Sequence, residues 1–138
     1  MIIILIFILL QLIHVTNQYS SEIRTRLLQV AWESLEHFLI NGRRTEFTTE
    51  TSELQTKRAV FVTLRKRDSG DLRGCIGQSE PYYPLIEAVS RTAISAAVDD
   101  SRFPQVKLNE VANLMIEINV LTPMFVITPD NVVVGKHG

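Results

Sequence analysis

Cysteine is almost absent from this sequence: Cys75 is the only one in 138 residues. An internal disulfide is thereby excluded, and a lone thiol fits a reducing compartment. Histidine is scarce as well. His14, His37 and His137 lie far apart, and with no Cys-x-x-Cys or His-x-x-His spacing the chain offers no dedicated zinc site. An excess of one charge is also missing. The formal net charge is −1, and the basic cluster LRKRDSGDLR is interrupted by Asp68 and Asp71. It reads as a solvated hairpin end, and neither the charge nor any aromatic platform calls for nucleic acid. No phosphate-binding glycine loop, hydrolase signature, internal repeat or low-complexity segment is present. Nothing in these patterns implies a cofactor.

What is present is a body that is 46% hydrophobic and 21% charged, enough for one globular domain with a real core. The N-terminus differs. MIIILIFILLQLIHV is about as long as the apolar region of a signal peptide and shorter than the roughly 20 residues of a spanning helix. No basic residue precedes it and no small-x-small site follows. Residues 1–19 are therefore set apart as an apolar extension, with three readings open: a signal or anchor, a non-native start, or a core helix.

The rest reads as alternating elements. Ser20 or Ser21 caps a helix to about Ile40, with Ile23, Leu27, Val30, Ala31, Leu35, Phe38 and Leu39 on one stripe and Asn41-Gly42 as its stop. Trp32 reads as core packing. Residues 43–57 form a polar loop carrying a helical turn. RAVFVTLRK reads as an interior strand, RDSGD as a hairpin turn and LRGCIG as the returning strand. A second helix follows with Pro84 in its first turn and a stripe of Leu85, Val89, Ala93, Ala96 and Ala97. LNEVANL is a short helical turn capped near Asn109. In LMIEINVLTP, Ile116, Ile118 and Val120 face one side of a strand, with Glu117 and Asn119 on the other. NVVVGKHG reads as a further strand or its entry. The expected class is α+β with a mixed, mostly antiparallel sheet.

Strand alternation divides the cysteine motif. Leu72, Gly74 and Ile76 take the core face, where the missing side chain at Gly74 lets the second helix approach. Arg73, Cys75 and Gly77 take the other. Arg73 then sits about 7 Å along the strand from Cys75, close enough to favour a thiolate. Arg73 pairing with Asp71 or Glu80, beside a buried structural cysteine, is the alternative. Glu117 is a candidate acid or base if buried, or a partner for Arg73 or Arg102. His137, in the Gly-rich VGKHG, is the better placed of the histidines to reach the thiol.

LRGCIG at Leu72–Gly77, DSRFP at Asp100–Pro104 and the later VLTP together resemble the AMMECR-one domain family, whose prokaryotic members are often called system protein A of the AmmeMemoRadiSam set. KRAVFVTL and the first helix also fit. Gln105 stands where that family usually has a second proline. The resemblance implies a two-part α/β domain over residues 20–138, lacking its C-terminal portion, with a cleft beside Cys75. It also implies a cytoplasmic setting and weakens the signal or anchor reading, under which the chain is membrane-anchored or secreted through residues 1–15. No activity comes with it. The name implies Memo-type and radical SAM proteins as pathway partners, in a modification reaction.

Two functions remain open. In the first, the chain is an enzyme or enzyme-like accessory component using Cys75, with Arg73 and Glu117 as further catalytic candidates. In the second it is a non-catalytic binding module for a protein or ligand, with Gly74, Gly77, Arg102 and His137 lining the site. Nucleic-acid binding is a distant third.

Overall fold

A computed structural model describes residues 18–123 and 128–133. The apolar run, residues 124–127 and His137 fall outside the described residues, so the expectations placed on them stand where the sequence left them.

The described chain runs α1 (Ser21–Asn41), α2 (Ser52–Gln55), β1 (Val60–Lys66), β2 (Leu72–Gly77), α3 (Leu85–Val98), a 3-10 turn (Leu108–Asn113), β3 (Leu114–Val120) and a second 3-10 turn (Pro129–Asn131). The strands form one antiparallel sheet in the order β2-β1-β3. The α+β expectation holds, with a wholly antiparallel sheet among the described residues. β1 is the interior strand, and Val60, Val62 and Leu64 are fully or almost fully buried.

α1 begins where Ser20 Oγ accepts the Ile23 amide at 3.3 Å and ends at Gly42. Its predicted stripe is the buried one: Leu27, Val30, Ala31 and Leu35 face inward. Trp32 packs against the core from a half-buried position. α3 buries Leu85, Val89, Ala93, Ala96 and Ala97 as expected. Pro84 stands one position earlier than anticipated, at the cap rather than in the first turn. The two helices pack against each other and cover one face of the sheet. Between them Ser34 Oγ donates to Val30 O at 2.6 Å and pairs with Ser90 Oγ at 2.8 Å, so both buried hydroxyls are satisfied.

The turn at Leu108–Asn113 is capped close to Asn109, as expected: Lys107 is the cap, with Asn109 inside the turn, because the Glu110 carboxylate folds back to accept the Lys107 amide at 2.7 Å. Of NVVVGKHG only residues 131–133 are described, and there Asn131 closes a 3-10 turn started by Pro129, whose fixed φ favours that first position; the expected strand falls on residues outside the described ones.

Candidate functional site around Cys75

β1 and β2 are joined by the tight turn whose Gly70 adopts φ +75°, a conformation that favours glycine. Counting back from the turn, the register is Arg65↔Leu72, Leu64↔Gly74, Thr63↔Cys75, Val62↔Ile76 and Phe61↔Gly77. One residue is skipped. Arg73 is the extra residue of a β-bulge, with no partner on β1.

The bulge corrects the reading of the motif. An inserted residue reverses the alternation on its far side. Leu72 therefore pairs with Arg65 on the face that carries Thr63 and Cys75, and leaves the core face to Gly74 and Ile76. Arg73 is turned away from Cys75. Its guanidinium is buried and held by three bonds: Nε to Glu110 Oε1 at 3.0 Å, Nη2 to Glu110 Oε2 at 3.1 Å, and Nη1 to the Pro104 carbonyl at 2.9 Å. This fork on a carboxylate holds Glu110 below the usual carboxylate range, against the opposing effect of its burial. Neither Asp71 nor Glu80 is its partner. Arg73 ties the β2 strand to the segment that leads into β3, and it is not the cation of the thiol.

The cation that reaches Cys75 is Arg102, at its backbone carbonyl. Val62 and Leu64 bond toward β2, as Val60 O does in accepting the Gln78 amide at 3.0 Å, so Cys75 occupies the non-hydrogen-bonded position opposite Thr63. Two consequences follow. Side chains approach closely at such a pair, and Cys75 Sγ lies 3.3 Å from Thr63 Oγ1. The Cys75 N–H and C=O point outward, to the open side of β2. Asp100 Oδ2 accepts that N–H at 2.9 Å, and Arg102 Nη2 reaches toward the carbonyl at 3.5 Å. Asp100 also accepts from Arg102 N, Nε and Nη2 at 3.1, 3.0 and 2.8 Å. The pair substitutes for a fourth strand along the edge. The Arg102 bonds, with the Cys75 amide behind them, hold Asp100 far below the usual carboxylate range although burial opposes this. In turn the Asp100 hydrogen bond raises Arg102, and the nearby Cys75 adds to the rise. The Arg102 side chain remains 58% exposed and lies over the Phe103 ring at 5.5 Å.

The motif glycines have structural duties. A Cβ on Gly74 would lie 2.0 Å from the Ala96 carbonyl oxygen, so the expected approach of the second helix is real. A Cβ on Gly77 would strike the Phe61 ring, which covers that position. Glu117 shares the sheet face of Cys75, but Thr63 lies between them in the ladder. Two strand spacings separate the pair by about 10 Å. Its side chain is 51% exposed and pairs with Arg65 at 3.2 Å, not with Arg73 or Arg102, so the buried carboxylate anticipated there does not exist.

The cysteine and Arg102 are thus brought together, and Arg73, Glu117, Gly74 and Gly77 are not part of the pair. Thr63 and Glu110 were missed by the sequence reading. Counting back through RDSGD places Val62 opposite Cys75, and only the bulge at Arg73 brings Thr63 there. Glu110 carried no local signal toward Arg73, 37 residues away. Among the described residues, no three of His, Cys, Asp and Glu are grouped to hold a metal ion. None of their helices is long and apolar enough to cross a membrane.

Comparison with known proteins decides the family. The family model AMMECR1 matches residues 28–138. The chain belongs to the AMMECR1 family. Protein MK0488 of Methanopyrus kandleri is 41% identical over 120 residues, and Protein PH0010 of Pyrococcus horikoshii is 43% identical over 122. Each match takes in 81% of this chain but only 58% and 59% of those proteins. The chain therefore spans about three fifths of the length of these relatives. The crystal structure of the P. horikoshii protein, itself described as uncharacterized, superposes with a TM-score of 0.66 at 46% identity, over 70% of this chain and 50% of that one. The AMMECR1 match includes both motif strings, so the interlock of LRGCIG with DSRFP described above lies within the family domain.

Proposed function

We propose that this AMMECR1 chain is a binding module, an accessory component of a modification pathway, and that it presents Cys75 and Arg102 to a partner protein or ligand. The observation that supports this is the Asp100 latch. It fixes an exposed guanidinium against the backbone of a half-buried cysteine, while Arg73, Gly74 and Gly77 of the first motif are taken up by the architecture. A rigid, charge-assisted donor next to a polarisable sulfur is suited to recognising an anionic or carbonyl group. Among the described residues no acid or base stands within hydrogen-bonding reach of Sγ, where only the Thr63 hydroxyl contacts it. The Memo-type and radical SAM proteins implied by the family name are the first partners to test, in the cytoplasm that the single free cysteine suits. Titration calorimetry with such a partner measures the claim. Arg102→Ala weakens binding at least tenfold and Cys75→Ser leaves it near wild type. Unchanged binding in Arg102→Ala refutes it.

The reactive-thiol reading keeps one observation in its favour, the approach of Arg102 Nη2 to the Cys75 carbonyl at 3.5 Å. Mass spectrometry of iodoacetamide labelling separates the two. If Arg102 activates the thiol, Arg102→Ala slows labelling severalfold; equal rates leave the binding reading in place.

A further inference from the structure

The asparagine and glycine that end α1 have a chemistry of their own. In an Asn-Gly pair the glycine has no Cβ to shield its nitrogen, and that nitrogen can close a succinimide ring on the asparagine side chain. Asn41 and Gly42 are both exposed. A Cβ at Gly42 would meet nothing within 4 Å among the described residues, so there is room for the ring and for water. What opposes the reaction is the helix end itself. The Gly42 N–H donates the last bond of α1, to Phe38 O at 2.8 Å. Helical side chains lean toward the N-terminus, and Asn41 follows the rule: its Nδ2 donates to His37 O at 3.1 Å and lies 3.2 Å from His37 Nδ1. Nucleophile and electrophile are thus each held by a different partner one turn back, and the side chain is turned away from the nitrogen it would meet.

We propose that Asn41 is a self-modification site, gated by the fraying of the last turn of α1. When the turn opens, the Gly42 nitrogen gives up its proton and attacks Asn41 Cγ. The N–Cγ bond forms, the Cγ–Nδ2 bond breaks, and Nδ2 leaves as ammonia, having taken up the proton. Water then opens the succinimide to aspartate or isoaspartate. Water is the only co-reactant, and nothing is oxidised or reduced. Ammonia is lost, so the step is one-way, and its products weaken the helix end. The new carboxylate sits at the negative end of the helix dipole, where the last turn holds no basic residue to offset it. Isoaspartate also adds a carbon to the main chain, which takes the Gly42 N–H out of reach of Phe38 O. Terminal turns are the first parts of a fold to open, so the cap slows the reaction without abolishing it.

Mass spectrometry of the tryptic peptide ending at Arg43 measures conversion of Asn41 in the full chain, folded in buffer and unfolded in urea at the same pH and temperature. The folded wild type converts about tenfold more slowly than the unfolded chain, or slower still. Ile40 is 62% exposed, so Ile40→Pro deletes a helical N–H of the last turn without touching the core. It raises the folded rate roughly fivefold or more and leaves the unfolded rate near wild type. The converted fraction unfolds at a lower urea concentration than the starting chain. Equal rates in folded and unfolded wild type overturn the proposal, a result that stands even where the proline variant fails to fold. So does a folded Ile40→Pro chain that converts no faster than wild type.

Discussion

Replacing Gly74 by alanine adds one methyl group at the point where β2 and α3 touch. The new Cβ lies 2.0 Å from Ala96 O and 3.1 Å from Ala96 C, whereas ordinary contact begins at 3.4 Å, so strand and helix must part by about 1.4 Å. That opening loosens Ala93 and Ala97, which are 0% and 3% exposed, along with Leu64 on the neighbouring strand. Overpacking that flexible side chains can absorb costs roughly 1–3 kcal/mol. Here the obstacle is a backbone carbonyl inside a helix, which cannot rotate away, so the expected loss is at the top of that range, about 3 kcal/mol. For a domain of this size this corresponds to a fall in Tm of about 12 °C. Urea unfolding followed by circular dichroism measures it. Because the clash is with the carbonyl and not the Ala96 methyl, Ala96→Gly gives no rescue in the double variant. A loss below about 1 kcal/mol, or recovery by Ala96→Gly, refutes this account of the motif glycine.

The Asp100 latch makes stability depend on pH. Its folded-state carboxyl titrates below the unfolded value of about 3.9, so as pH falls the unfolded chain takes up the proton first. The stabilisation is complete above that value and is lost as pH falls through the depressed folded one. Asp100→Asn therefore lowers the urea midpoint at neutral pH and flattens its decline between about pH 4 and 2; an acid limb identical to wild type contradicts the assignment. Glu110→Gln leaves the buried Arg73 charge without its anion. Removing one partner of a fully buried pair costs about 3–5 kcal/mol, and since Glu110 is 35% exposed the expected loss is nearer 2 kcal/mol, read from the same unfolding curves.

The helices and the two long strands were legible because burying one face forces a period on the sequence. Leu27, Val30, Ala31 and Leu35 repeat as a helix must, and Ile116, Ile118 and Val120 as a half-buried strand must. The motif was misread at one residue for a physical reason. Alternation assumes an uninterrupted ladder, and the bulge at Arg73 inserts a residue that no turn signal announces. That single insertion moved Arg73 out of the site and Leu72 off the core face. Arg102 and Cys75 were each singled out, yet their meeting was not readable. It depends on Asp100, 25 positions further along the chain, reaching an outward N–H of β2.

A diagnostic string need not be a chemical one, and the interlock here shows why. Arg73 is spent on Glu110 and Pro104, Gly74 on the Ala96 carbonyl, Gly77 on Phe61, and Asp100 on closing the strand edge. Each of these residues holds β2 against its neighbours, so a variant at any of them that loses function reports first on folding. The thiol of Cys75 and the outer face of Arg102 are what the two strings leave uncommitted. Cys75→Ser spares the interlock, since Arg73 and the Asp100 bond to the Cys75 amide remain, whereas Arg102→Ala also strips two side-chain bonds from the buried Asp100. Loss of function in Cys75→Ser, with the unfolding curve of the wild type retained, is therefore the evidence that separates chemistry or recognition from architecture; for Arg102→Ala the same conclusion needs the binding loss to exceed what its unfolding curve accounts for.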